Sequence, residues 1–184
     1  MLPIRIGKGE LYDEEKNEFI KNSEEKTIYL EHSLVSVSKW ESKWHKPFMD
    51  DRYKKTKEEV IDYIRCMTVT QNVDPQLYYL IDAENIKKIQ DYISDPMTAT
   101  WFSDKKHKGR ARKVITSEVI YYWMVALQIP FKCEKWHLNR LLTLIKVCNE
   151  ENKASEKGNK NMRELVSERA ALNAARKKQL HTRG

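Results

Sequence analysis

The sequence predicts a mainly α protein of the α+β kind: a small N-terminal antiparallel β-hairpin or sheet packed on a helical bundle, with a C-terminal helix after a polar linker. Three observations predict it. Only five prolines and five glycines occur in 184 residues, which suits long helices better than many short strands. Compact β-branched and aromatic runs cluster before residue 32. After that point apolar residues recur at spacings of three and four, the period of a helix face. The length suits one domain with a real core. Residues 1–150 are expected to form it, with 1–31 β-rich and 32–150 helical. Residues 151–161 are expected as a linker and 162–184 as a basic C-terminal helix or tail.

Leu2–Ile6 is a short strand. Glu10–Ile20 suits a hairpin, with a polar turn in Asp13-Glu14-Glu15-Lys16-Asn17. Thr27-Ile28-Tyr29-Leu30 is a third strand. Such a small sheet needs helices over one face. The next stretch, Glu31–Phe48, is EHSLVSVSKWESKWHKPF. Ser33 is its expected N-cap and Pro47 its stop. Leu34, Val37, Trp40 or Glu41, and Trp44 share one face. Core burial is the first expectation for both tryptophans, and a docking face is the second, since Trp is enriched at interface anchors.

Thr56 caps the following helix, with Glu58 and Glu59 in its first turn and a stripe of Val60, Ile61, Ile64 and Met67. Asp74-Pro75 opens a short helix, Asp as N-cap and Pro at the first position. Asp82 caps another, Ala83–Ile93, which Pro96 ends. Met97–Phe102 is extended and leads into a basic loop with Gly109 at its tip. Thr116 caps Ser117–Leu127, so apolar on all sides that it is expected as the central helix of the bundle. Cys133–Asn149 follows as an amphipathic helix through Leu138, Leu141, Leu142, Ile145 and Cys148. After the polar stretch comes Met162–Leu180, rich in Ala, Glu, Arg and Lys, with a thin stripe of Met162, Leu165, Val166 and Leu172. That helix either packs on the body or waits for a partner.

Charge narrows the function classes. The net charge is +7. Ser103–Lys113 holds +5 of it, Glu151–Gly184 another +5, and the remainder is −3. A dedicated nucleic-acid binder carries a pervasive basic field, and this chain does not. The basic surface most open to a nucleic-acid reading is Lys105, Lys106, Lys108, Arg110, Arg112 and Lys113 beside Trp101-Phe102. No window reaches the roughly 20 apolar residues of a membrane span. Three cysteines make no paired framework, and the start of the chain lacks a signal-peptide pattern, so a reducing cytoplasm is expected.

No residue constellation points to catalysis. Gly7-Lys8-Gly9 lacks the spacing of a phosphate loop. Paired carboxylates such as Glu58/Glu59 are sequence neighbours, which do not face each other on a helix. Cys133 and His137 stand four apart on an expected helix, but zinc needs two further ligands and no second close pair exists. No catalytic residue, metal or cofactor is therefore expected.

Four stretches together resemble one family: Glu31–Phe48, Met97–Phe102 (MTATWF), Glu118–Asn149 (EVIYYWMVALQIPFKCEKWHLNRLLTLIKVCN) and Ala170–Leu180 (AALNAARKKQL). They are similar to tail assembly chaperones of long-tailed bacteriophages. The resemblance implies a non-enzymatic protein of the host cytoplasm during virion assembly. Its partners would be the tape-measure protein and tail-tube subunits, with self-association as a further option. A structural virion protein of the tail, neck or baseplate is the alternative, and a nucleic-acid-binding protein the second. The family offers no site motif to carry over. From the residues themselves, the expected partner-binding positions are Trp40, Trp44, His45, Leu165 and Leu172.

Overall fold

The computed structural model describes residues 1–179, except 14–17, 23, 51, 101 and 103–113. The protein is mainly α with a small β part. It divides into two units, Met1–Thr143 and Leu144–Gly184.

In the first unit, β1 (Leu2–Ile6) pairs antiparallel with β4 (Lys26–Leu30), with Ile4 opposite Ile28 and Leu2 opposite Leu30. The strand period of two puts Ile4, Ile6, Ile28 and Leu30 on one face, and all four are buried. The outer edge of β4 is closed by the chain further on. Val69 N donates to Tyr29 O, Glu31 N to Met67 O, and Tyr29 N to Thr70 Oγ1. Between these strands in sequence lies a hairpin, β2 (Gly9–Asp13) against β3 (Glu18–Asn22). It forms a ladder of its own, so the expected β region is two two-stranded ladders and not one sheet. Gly7 and Lys8 separate β1 from β2, and Asn22 Nδ2 donates to Gly7 O across that break.

Local capping chemistry starts most of the helices. α1 (Leu34–Trp44) is capped by Ser33, whose hydroxyl accepts from Ser36 N. It ends at His45, which takes the left-handed conformation at φ 53°. α2 (Lys57–Met67) opens with a reciprocal capping box between Thr56 and Glu59. Asp74-Pro75 opens a turn of 3-10 helix, Pro75–Leu80, too short to settle into α geometry. α3 (Ala83–Ser94) is capped by Asp82 and lies on β1, where Asn85 Nδ2 donates to Arg5 O. Within residues 97–102, expected as extended, 98 and 99 form a bend and none of the described residues is in a strand.

α1 is the hub of this unit. It packs against α2, α4 (Ser117–Ala126) and the 3-10 turn Phe131–Lys135. Leu34, Val37 and Trp40 are buried to 1% exposure or less, so the expected stripe is core. α4 does not hold the central place expected of it. Ser117, Ile120 and Met124 are buried, while Tyr122 and Val125 are 68% and 61% exposed. An apolar composition all round a helix marks burial only where neighbours exist on every side, and α4 is covered on one.

The helix expected from Cys133 begins later. α5 runs Leu138–Gln179, after the 3-10 turn and a break at Trp136-His137. The break exists because His137 pairs with Ser33 in an isolated bridge and Leu138 N donates to His32 O at 2.7 Å. Cys133 and His137 are therefore not one turn apart on a common helix face. Among the described residues no group of three or more His, Cys, Asp or Glu is placed to hold a metal ion. Asn139 near the start of α5 donates to Ile93 O and Asp95 O, satisfying carbonyls at the end of α3.

The second unit contains only the continuation of α5 among its described residues. Residues 151–161, expected as a linker, are helical. Their Glu, Lys and Ala content favours helix, and Gly158 costs only about 1 kcal/mol against it. A Glu150–Lys153 ion pair lies on the helix leading into this stretch. No helix among the described residues is long and apolar enough to cross a membrane.

Candidate functional site

The sequence-predicted partner residues fall into two groups, one at the end of α1 and one on α5. Trp40 leaves the first group. It is 1% exposed, and its indole Nε1 donates to Glu59 O at 2.8 Å. It is a core anchor between α1 and α2, packed on Phe48 with ring centroids 5.2 Å apart. Trp44 is half-buried, and its Nε1 donates to Asp62 Oδ2 at 2.9 Å. His45 is exposed, and its backbone N–H closes the end of α1 by donating to Glu41 O.

Around Trp44 the surface is strongly polar and ordered by carboxylates of α2. Asp62 accepts from Lys43 Nζ at 2.5 Å as well as from Trp44, with Arg65 at 3.6 Å. Glu59 accepts from Lys46 Nζ at 2.5 Å and from Thr56 N at 2.8 Å. Those two donors, Lys46 first, hold the Glu59 carboxyl below its usual range. Lys55 lies 4.3 Å from the Phe48 ring centroid, a cation–π contact.

On α5 the geometry is simpler. From Asn149 onward every described side chain is exposed. Met162, Leu165, Val166 and Leu172 are 62%, 54%, 60% and 64% exposed. At about 100° per residue the four lie within an arc of about 120°. Leu165 and Leu172 thus belong to one open apolar stripe, flanked by exposed Glu164, Glu168, Arg169 and Arg176. The basic positions Lys105, Lys106, Lys108, Arg110, Arg112 and Lys113 lie outside the described residues.

Two features of the first unit were not legible beforehand. Glu41 is buried, and its carboxylate joins distant segments: Oε1 accepts from Phe48 N at 2.8 Å and Oε2 from Ser117 N at 2.7 Å. It supplies the acceptor at the α4 N-terminus that Thr116 does not, since Thr116 makes no side-chain cap. The available signal was a Glu within an apolar face. The second feature is a buried histidine pair, His32 and His137, with ring centroids 5.1 Å apart. His32 Nδ1 shares a 2.5 Å hydrogen bond with Tyr63 Oη. His137 Nε2 lies 2.9 Å from Tyr92 O, and because a carbonyl only accepts, that nitrogen carries the proton. Its Nδ1 is buried without a partner.

Burial, and then the neighbouring His137, holds the His32 imidazole down at about 3. Burial pushes the Tyr63 phenol well above its ordinary value. The pair is an enclosed contact between the start of α1, α2 and the start of α5. Both rings are shut from solvent. Comparison with known family models, curated proteins and solved structures finds no match.

Proposed function

We propose that the chain is a non-enzymatic assembly protein of a long-tailed bacteriophage, a chaperone that holds the tape-measure protein and brings tail-tube subunits to it. The observation that carries the reading is the open stripe of Met162, Leu165, Val166 and Leu172 on α5. An exposed apolar stripe on a well-formed helix is the half of a helix–helix contact that lacks its partner. The tape-measure protein that the resemblance implies is a long helical chain, so a helix-to-helix contact is the natural mode of docking. The charged flanks of α5 keep such a complex in solution. The sequence resemblance, spread over four stretches from Glu31 to Leu180, supports the same assignment.

Co-expression tests it. With a tape-measure protein from a long-tailed phage, the chain is expected to raise the soluble yield of that protein and to co-purify with it. A tape-measure protein equally insoluble with and without the chain contradicts the proposal. Mass spectrometry of purified virions separates the chaperone from a structural tail component: a chaperone is absent from mature particles, and a stoichiometric peptide signal contradicts the assignment.

A further inference from the structure

Two adjoining pockets open between α1, α2 and the segment after α2. The larger is an open cleft of about 420 Å³. Its walls carry Lys39 and Lys43 from α1 and Arg65 and Cys66 from α2, with Tyr78 at one side. The smaller, about 140 Å³, is lined by Trp44, Ile61 and Tyr79, with Glu58 at its rim. Lys43, Asp62 and Arg65 belong to both. One opening is mainly cationic; the other sets Trp44, Ile61 and Tyr79 beside Glu58 and the three charged residues of the shared wall.

The charges in the larger cleft do not cancel. Asp62 is its one carboxylate, against Lys39, Lys43 and Arg65. Asp62 is already engaged by Lys43, by the Trp44 indole and at longer range by Arg65. Lys39 is exposed and takes no part in that cluster. Arg65 meets Asp62 through one nitrogen at 3.6 Å, which leaves most of its planar set of donors free to turn to an incoming acceptor. The polar hydroxyls behind them are internally satisfied, Tyr78 Oη donating to Thr68 Oγ1 and Thr68 to Ile64 O. Burial and Asp62 push the Cys66 thiol up, and Lys39, Lys43 and Arg65, which line the cleft with it, act against that rise.

We infer that this pair of pockets is a docking site for an acidic, apolar-flanked peptide segment of a partner protein. A carboxylate of that segment sits between Lys39 and Arg65, and an adjacent apolar side chain lies over Trp44, Ile61 and Tyr79. Charge complementarity fixes the first half of the occupant and the aromatic lining fixes the second. A nucleic acid fits poorly, because its next phosphate would lie over apolar side chains and face Glu58. The site rests on these residues alone and does not depend on the α5 stripe.

The test uses the full chain and a fluorescein-labelled five-residue peptide, Glu-Leu-Glu-Glu-Leu, read by fluorescence polarisation. The acidic peptide is expected to bind. Its Gln-Leu-Gln-Gln-Leu and Glu-Ser-Glu-Glu-Ser counterparts are expected to bind at least about tenfold more weakly. The double variant Lys39→Gln/Arg65→Gln is expected to lose about tenfold in affinity with unchanged thermal unfolding, since both side chains are exposed. Removing the same charge elsewhere, with Lys87→Gln/Lys88→Gln on α3, is expected to change nothing. Unaltered affinity in the cleft variant, equal loss in the α3 variant, or failure of the acidic peptide to bind would overturn the inference. So would an oligonucleotide that binds in a Lys39- and Arg65-dependent way where the peptide does not. Leu165→Glu/Leu172→Glu is expected to leave peptide affinity intact, so this outcome is independent of tape-measure binding.

Discussion

α1 and the later part of α5 carry the same kind of sequence signal and meet opposite fates. Each has a thin apolar stripe at helical spacing among charged residues. In α1 the stripe of Leu34, Val37 and Trp40 is buried to 1% exposure or less. In α5 the stripe of Met162, Leu165, Val166 and Leu172 is more than half exposed throughout. α1 has α2, α4 and a 3-10 turn packed against it, with α2 held by its own capping box and α4 by the Glu41 side chain reaching from α1. The second unit contains no other element among its described residues that could cover the α5 stripe. A stripe states that a face needs a partner; whether the partner is internal decides between core and docking surface.

The largest expected effect comes from breaking the buried stripe. Trp40→Ala removes the biggest buried side chain of α1 and its hydrogen bond to Glu59 O. A loss of about 3–5 kcal/mol of unfolding free energy is expected in urea titration. A loss below about 1 kcal/mol would mean that α1 is not the hub described. Next is Glu41→Gln, which turns one of two carboxylate acceptors into a donor facing a backbone N–H. Phe48 N or Ser117 N then loses its partner, at about 1–3 kcal/mol. Amide exchange at Ser117 is expected to speed up with it, and unchanged exchange would exclude Glu41 as the α4 cap.

The third effect depends on pH and belongs to the first unit alone. His32 stays neutral in the fold until about pH 3, whereas in the unfolded chain it takes up a proton near its ordinary value of 6.5. Below 6.5 the unfolded state therefore binds more protons than the native state. The stability in hand above about pH 6.5 is lost as pH falls towards about 3, by up to about 1.4 kcal/mol per pH unit from this group. Urea titrations at pH 7 and pH 5.5 stay above the ordinary carboxylate range, and the other four histidines are common to wild type and variant. His32→Asn keeps a polar group near Tyr63 and is expected to flatten the slope; an equal slope in wild type and variant would assign it elsewhere.

Local chemistry was the legible part of this chain. Ser33, Thr56, Asp74 and Asp82 cap the helices they were expected to cap, because capping depends on residues within one turn, whereas Thr116 stands at the start of α4 without a side-chain cap. β1, the hairpin and β4 were legible for the same reason. What depends on long-range pairing was not. The split into two ladders, the one-sided burial of α4 and the break before Leu138 follow from contacts across the fold, such as Leu138 N to His32 O. The candidate sites divide likewise. Leu165 and Leu172 were readable as a stripe without a cover. Trp40 was readable as apolar and aromatic, but its indole acceptor, Glu59 O, lies on another helix. The cleft beside Trp44 was only partly readable, since Arg65 and Tyr78 reach it through the α1–α2 packing.

The most direct measurement of the central claim is capture of a co-expressed tape-measure protein by the wild-type chain and by Leu165→Glu/Leu172→Glu, with urea unfolding run in parallel. Both positions are exposed, so the substitutions are expected to shift stability by less than about 0.5 kcal/mol. Capture is expected to be lost while far-UV circular dichroism and the unfolding midpoint are retained. Undiminished capture, or collapse of the whole fold, would contradict the reading of α5 as an open arm for a helical partner.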